Sequence, residues 1–185
     1  MTLTPKERRF RELVLPHIDS AFNLARWLAR DDHDAQDIVQ EACLRAFRFF
    51  DGFHGNDGRP WLMGIVRNTF YSWHRQHQAQ GRNTVFDEDL HGGDASAATG
   101  VPRADDNPEA ILMRRDGRRA IDRALESLAV EFREVLVMRE LEDLSYKEIA
   151  LIVGIPIGTV MSRLARARKQ LAATLAPGDR KHDGP

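Results

Sequence analysis

The stretch from Leu144 to Leu175 limits what this chain can fold into more than any other. Ser145 stands where it can cap a short helix, Ile149, Ala150, Ile152 and Val153 form an apolar side, and Gly154 supplies the turn that follows. A second helix opens at Thr159, or at Gly158 just before it. There Val160, Leu164, Ala167 and Leu171 recur at spacings of four, three and four, as one buried stripe does. Arg163, Arg166, Arg168 and Lys169 fall on the other face. No acid occurs between Ile149 and Gly178, so that face can approach phosphate without repulsion. Two short helices about a glycine turn, the second one basic, make a helix-turn-helix of the kind that reads DNA. A merely solvated basic helix would need the charge but not the coincident turn and stripe.

The rest of the chain divides by charge rather than by net charge, which is only -1. Residues 31 to 41 hold five acids and no Lys or Arg, whereas residues 59 to 86 hold four Arg and no acid, so two different partners are expected. With 185 residues and 42% apolar composition the chain has enough material for one domain or two small ones. Cys43 is the sole cysteine, which excludes an internal disulfide and a cysteine-rich zinc site and fits a reducing cytoplasm. No apolar run reaches the roughly 18 residues that span a bilayer, and none resembles a signal peptide, so membrane insertion is not expected.

In chain order, Thr4 to Leu28 reads as a helix with Pro5 in its first turn and Pro16 able to split it. Asp34 to Phe50 is a second helix. Val39, Cys43, Ala46 and Phe50 form its core stripe, with Ile38, Ala42 and Phe49 beside it. Asp37, Gln40, Glu41 and Leu44 then share an outward ridge at i, i+3, i+4 and i+7, either a solvated face or a partner surface for a basic helical element. A turn-rich loop carries Phe53 and His54. From Pro60 to about Gln78 a helix interleaves aromatics with Arg59, Arg67, Asn68 and Arg75. Trp61, Leu62, Ile65 and Val66 suit a core. Asn68, Tyr71 and Arg75 suit unpaired nucleic acid, where guanidinium groups hold the backbone and rings stack on bases. His74 and His77 lack a nearby carboxylate or thiol in sequence, so no metal and no cofactor is assigned.

From 81 to 108 the composition is that of an acidic linker, with six acids against Arg103 alone between Asp87 and Asp106. Glu109 to Leu128 and Phe132 to Leu141 return to helix and scaffold the helix-turn-helix, and residues 177 to 185 form a polar tail. The expected fold is all-α. Two small helical domains, 1–80 and 109–176, are joined by a flexible linker that leaves them independent.

Several runs together carry a family resemblance. They are Asp37-Ile38-Val39-Gln40-Glu41-Ala42-Cys43-Leu44-Arg45-Ala46-Phe47, Pro60-Trp61-Leu62 through Arg67-Asn68, Leu144 through Ala150, and Gly158-Thr159-Val160 through Ser162-Arg163-Leu164. The chain resembles the sigma-70 superfamily, and its length resembles the extracytoplasmic-function (ECF) group, which keeps only regions two and four. The resemblance implies a factor that joins core RNA polymerase, through its beta-prime and beta subunits, and directs it to two-part promoters. It implies docking of Asp37, Gln40, Glu41 and Leu44 on the beta-prime clamp helices. Phe53, Arg59, Arg67, Asn68, Tyr71 and Arg75 would hold the melted minus-ten strand, and Thr159, Ser162, Arg163, Arg166, Arg168 and Lys169 would read the minus-thirty-five duplex. The linker would thread the RNA exit path. An anti-sigma factor is a further partner left open. Met161 departs from the family's usual Arg or Lys.

No phosphate-binding glycine loop, partnered nucleophile or paired metal-ligand motif appears, so no enzyme activity is expected. A dimeric helix-turn-helix regulator is the competing reading, and it leaves the aromatic and basic helix without a purpose. A sigma mimic that titrates a regulator is a third, and it would not need an intact recognition helix.

Overall fold

The computed structural model describes residues 3–79 and 108–176, and side chains from Gly117 onward in the second block. Every regular element among them is helical. The expected linker and the polar tail lie outside the described residues.

Helix α1 (Pro5–Leu13) begins with a capping box. The Thr4 hydroxyl accepts from the Glu7 N–H at 3.3 Å, and the Glu7 carboxylate accepts from the Thr4 N–H at 2.7 Å. Pro16 does split the long helix: a tight 3-10 turn at Leu15–His17 separates α1 from α2 (Ile18–Ala29). Helix α3 (Asp32–Phe49) is capped by Asp31, whose carboxylate accepts the Asp34 N–H at 2.9 Å. Helix α4 (Gly58–Ala79) starts two residues before the expected Pro60, because the Asp57 carboxylate accepts the Arg59 N–H at 3.0 Å and so supports an earlier first turn. Only glycine fits that start. A Cβ on Gly58 would lie 2.0 Å from the carbonyl oxygen of Leu13.

These helices enclose one core in which Val14, Leu24, Ile38, Phe50, Leu62 and Val66 are fully buried. Phe49, expected beside that core, is 64% exposed instead. Phe50 already closes the end of the stripe, stacking on Phe53 and meeting Phe10 edge to face, so its neighbour on the chain turns outward.

The second half contains α5 (Pro108–Glu126), α6 (Val130–Leu136), a π turn (Val137–Leu141), α7 (Tyr146–Val153) and α8 (Ile157–Leu175). The π turn closes with the Glu142 N–H on the Val137 carbonyl at 3.1 Å. Its extra residue per turn re-aims the side chains that follow α6. The two halves are not apart: α2 packs on α6 and α4 on α7, so the expected independence of the domains does not describe this arrangement.

Candidate nucleic-acid interface

The helix-turn-helix is built as its sequence suggests. Ser145 and Glu148 form a reciprocal capping box at the start of α7. Gly154 ends that helix in the left-handed conformation with φ 75°, and the Gly154 and Ile155 N–H groups both return to the Ala150 carbonyl. Helices α7 and α8 then meet at 101°. Helix α8 opens at Ile157, earlier than the expected Thr159, because the Pro156 carbonyl accepts from the Thr159 and Val160 N–H groups at 2.9 and 3.1 Å. Val160, Leu164 and Ala167 are buried against the scaffold. Ser162, Arg166, Arg168 and Lys169 face solvent, while Thr159 and Arg163 are half-buried.

The ridge on α3 is outward. Asp37, Gln40, Glu41 and Leu44 are all exposed, Leu44 to 60%, and Glu41 holds Arg45 at 2.7 Å. Sequence reasoning missed two apolar side chains on the same helix, Phe47 and Phe49, exposed to 39% and 64%. Phe47 stands three residues after Leu44 and extends the ridge, a spacing that could have disclosed it. Beneath the ridge, burial pushes the Asp34 carboxyl up, with Asp31 adding to the shift. Cys43 is half-buried, and its thiol is also pushed up by burial.

On α4 the structure divides the expected strand-binding residues. Asn68 and Arg75 are exposed and, with Arg67, Tyr71 and Ser72, line a cleft of about 370 Å³. Phe53 is a correction. It is only 8% exposed, stacked on Trp61 at 4.6 Å and Phe50 at 5.9 Å, and its loop is pinned by Arg9, which donates to the Phe53 carbonyl at 2.9 Å. A ring so enclosed packs as part of the core in this arrangement rather than standing free to stack on a base. His77 Nδ1 donates to the Trp73 carbonyl, and His74 pairs with Gln78, so both imidazoles serve their own helix.

Arg59, Arg67 and Tyr71 are engaged from the other half of the chain. Glu134 on α6 is buried to 1% exposure. Its carboxylate accepts from Arg67 Nε at 2.8 Å, Arg67 Nη2 at 3.1 Å and the Tyr71 hydroxyl at 3.1 Å, with Arg163 at 3.6 Å. Burial and the Glu134 charge push the Tyr71 phenol up to about 12, which keeps its proton available for that bond. Glu142, just past the π turn, accepts from Asn23 at 2.5 Å and from Arg59 at 3.0 Å, and its backbone carbonyl accepts from Arg59 as well. Arg133, also buried, donates to the Glu126 and Leu128 carbonyls at 3.0 and 2.9 Å, and reaches the Leu28 carbonyl of α2 at 3.5 Å. Burial lowers Arg133 to about 10, so it stays charged at neutral pH. Sequence reasoning placed Asn23 at the surface or core edge rather than in a site, and did not single out Glu134 or Glu142. The available signal was the Arg133-Glu134 pair inside an apolar run, a place where charges need partners.

Two family models match the halves: Sigma-70 region 2 over residues 13–80, and Sigma-70, region 4 over residues 118–171. The chain is 37% identical over 167 residues to the ECF RNA polymerase sigma factor SigE of Mycolicibacterium smegmatis, covering 89% of this chain and 61% of that one. It is 36% identical over 146 residues to the ECF RNA polymerase sigma-E factor of Escherichia coli K12, covering 78% of this chain and 75% of that one. A solved structure of the sigma factor RpoE in complex with the anti-sigma factor NepR, from Bartonella quintana, superposes with a TM-score of 0.67 at 26% identity, over 90% of this chain and 96% of that one. CnrH, in complex with the cytosolic domain of CnrY, shares the fold at TM-score 0.62 and 24% identity, over 91% and 88% of the two chains. The chain belongs to the sigma-70 family of transcription initiation factors, within its extracytoplasmic-function group. No single helix among the described residues is long and apolar enough to cross a membrane.

Proposed function

We propose that this sigma factor docks core RNA polymerase through the α3 ridge, holds the melted minus-ten strand along α4 and reads the minus-thirty-five duplex with α8. The observation that carries the reading is the ridge itself: Asp37, Gln40, Glu41 and Leu44 are exposed while the opposite stripe of α3 fills the core. Leu44, 60% exposed, and Phe47, 39% exposed, stand three residues apart on that face, an apolar patch rimmed by polar groups of the kind that marks an interaction surface. Asn68, Arg75 and the cleft between them favour a single strand on α4. Exposed Arg166 and Lys169, on a helix without acids, favour duplex on α8. The relatives solved with anti-sigma factors motivate a similar partner for this chain.

The test is a pull-down of core polymerase by the variant with Asp37→Ala, Gln40→Ala and Glu41→Ala together. Circular dichroism should stay at wild type while core binding is lost; capture at the wild-type level would remove the assignment. Mobility shift distinguishes the dimeric regulator. The free chain should bind promoter duplex poorly and gain specific binding on addition of core enzyme, whereas tight palindrome-dependent binding by the chain alone would favour the regulator.

A further inference from the structure

The loop that joins α3 to α4, residues 51–57, is gripped from α1 by one side chain. Arg9 donates from Nη1 to the Phe53 carbonyl at 2.9 Å and from Nη2 to the Gly55 carbonyl at 3.2 Å, and its guanidinium lies over the Phe50 and Phe53 rings at 5.2 and 5.8 Å. We propose that Arg9 is a positioning residue for strand recognition: it fixes the shape of this loop and, through His54 and Asn56, the base preference at the amino-terminal end of α4. The proposal rests on the reading that α4 and the loop leading into it meet the melted strand.

A loop with glycines at 52 and 55 would sample many shapes if it were tied only at its ends. This one is tied along its length. Besides the two carbonyls on Arg9, Lys6 pairs with Asp51 at 2.6 Å, the Phe53 N–H donates to the Phe50 carbonyl at 2.9 Å, the Phe53 ring sits in the core, and Asp57 caps α4. The backbone at Gly55 passes so near the Phe53 ring that a Cβ there would lie 2.8 Å from two ring atoms. His54 and Asn56 are left over. Both are exposed, and neither is hydrogen-bonded or ion-paired among the described residues. An imidazole or a carboxamide tells one unpaired base from another only when its donors and acceptors are held in place, and a loop fixed around two free polar side chains meets that condition. His54 and Asn56 stand five and three residues ahead of Arg59, so they extend the row of α4 side chains that begins there.

Lysine cannot replace Arg9 in this role. A guanidinium presents its N–H groups in a rigid plane and so reaches two carbonyls at once, whereas an ammonium is one point charge on a flexible stem. The charge of Arg9 and its fork are therefore separable.

The test uses the full chain assembled with core RNA polymerase and a pool of short single-stranded DNA with a randomised centre. Captured strands are sequenced, and the base preference at each position is compared between variants. His54→Ala or Asn56→Ala should flatten one position by about tenfold, the size of one lost base-edge contact. Arg9→Ala and Arg9→Lys should flatten the same position, while Arg11→Ala, at an exposed position of the same helix, leaves the profile unchanged. With His54→Ala and Asn56→Ala already present, Arg9→Lys should add nothing there, because all three act through one contact. A loss of fold stability alone would weaken every position together, so a change at one position separates positioning from structural support. If Arg9→Lys keeps the wild-type profile and Arg9→Ala loses it, charge suffices and positioning is overturned. Positioning is overturned as well if the loop variants flatten a position that both Arg9 variants leave intact, although the strand reading of the loop then stands. A profile untouched by His54→Ala and Asn56→Ala overturns that reading itself, and the proposal with it.

Discussion

Helices α4 and α8 carry similar equipment, an apolar stripe with basic side chains on the remaining face, yet the structure treats them differently. On α4 the Arg67 guanidinium is paired with a carboxylate that water cannot reach, and its side chain is only 16% exposed. On α8 the Arg168 guanidinium meets Glu140 where both side chains are 48% exposed, and Arg166 and Lys169 have no salt bridge among the described residues. A buried pair is costly to break and a surface pair is not, because the partner left behind loses compensation only in the first case. Availability of a basic residue is thus set by where its counter-charge sits.

The contrast is broken most directly at Glu134. Glu134→Ala leaves Arg67 and Arg163 facing each other across a buried gap and should cost about 3 kcal/mol of stability, measured by urea titration; a loss no larger than that of a surface pair would erase the distinction. Next is Gly58→Ala. Its Cβ would overlap the Leu13 carbonyl, and the forced shift between α1 and α4 should cost about 2 kcal/mol, read as a lowered midpoint for the amino-terminal half.

Tyr71 sharpens the comparison through pH. Its phenol is raised to about 12 in the folded chain and returns to its ordinary value near 10 when the chain unfolds. The contribution to stability is therefore fully present below pH 10 and is lost as pH rises from 10 to 12. Absorbance titration should show Tyr71 ionising late, with Glu134→Gln bringing it earlier. An ionisation of Tyr71 that is unchanged in Glu134→Gln would mean the phenol is not held by Glu134.

The smallest effects belong to α8. Arg168→Ala should change stability by about 0.5 kcal/mol or less, against the larger loss at Glu134. Met161, 53% exposed, can accept arginine without strain. Met161→Arg should strengthen duplex binding of the chain with core enzyme almost uniformly across a sequence panel, as a phosphate contact does. A changed order of preference would show that the position reads bases.

The all-helical class, the Ser145 cap, the break at Pro16, the Gly154 turn and the outward α3 ridge were legible because each depends on neighbours within one or two turns. The same local rules misplaced Phe49 and Phe53. Whether an aromatic ring is buried depends on Phe10, Trp61 and Arg9, which come from other helices. The helix-turn-helix and the sign of its charge follow from sequence alone, since apolar period and absence of acids are properties of one segment. Only the tertiary structure decided that Arg59, Arg67 and Tyr71 face Glu142 and Glu134. The partners lie 83, 67 and 63 residues apart, and nothing in a one-dimensional pattern fixes which buried carboxylate a distant guanidinium will meet. That choice was made by the packing of α2 on α6 and α4 on α7, and by a π turn whose extra residue re-aims Glu142.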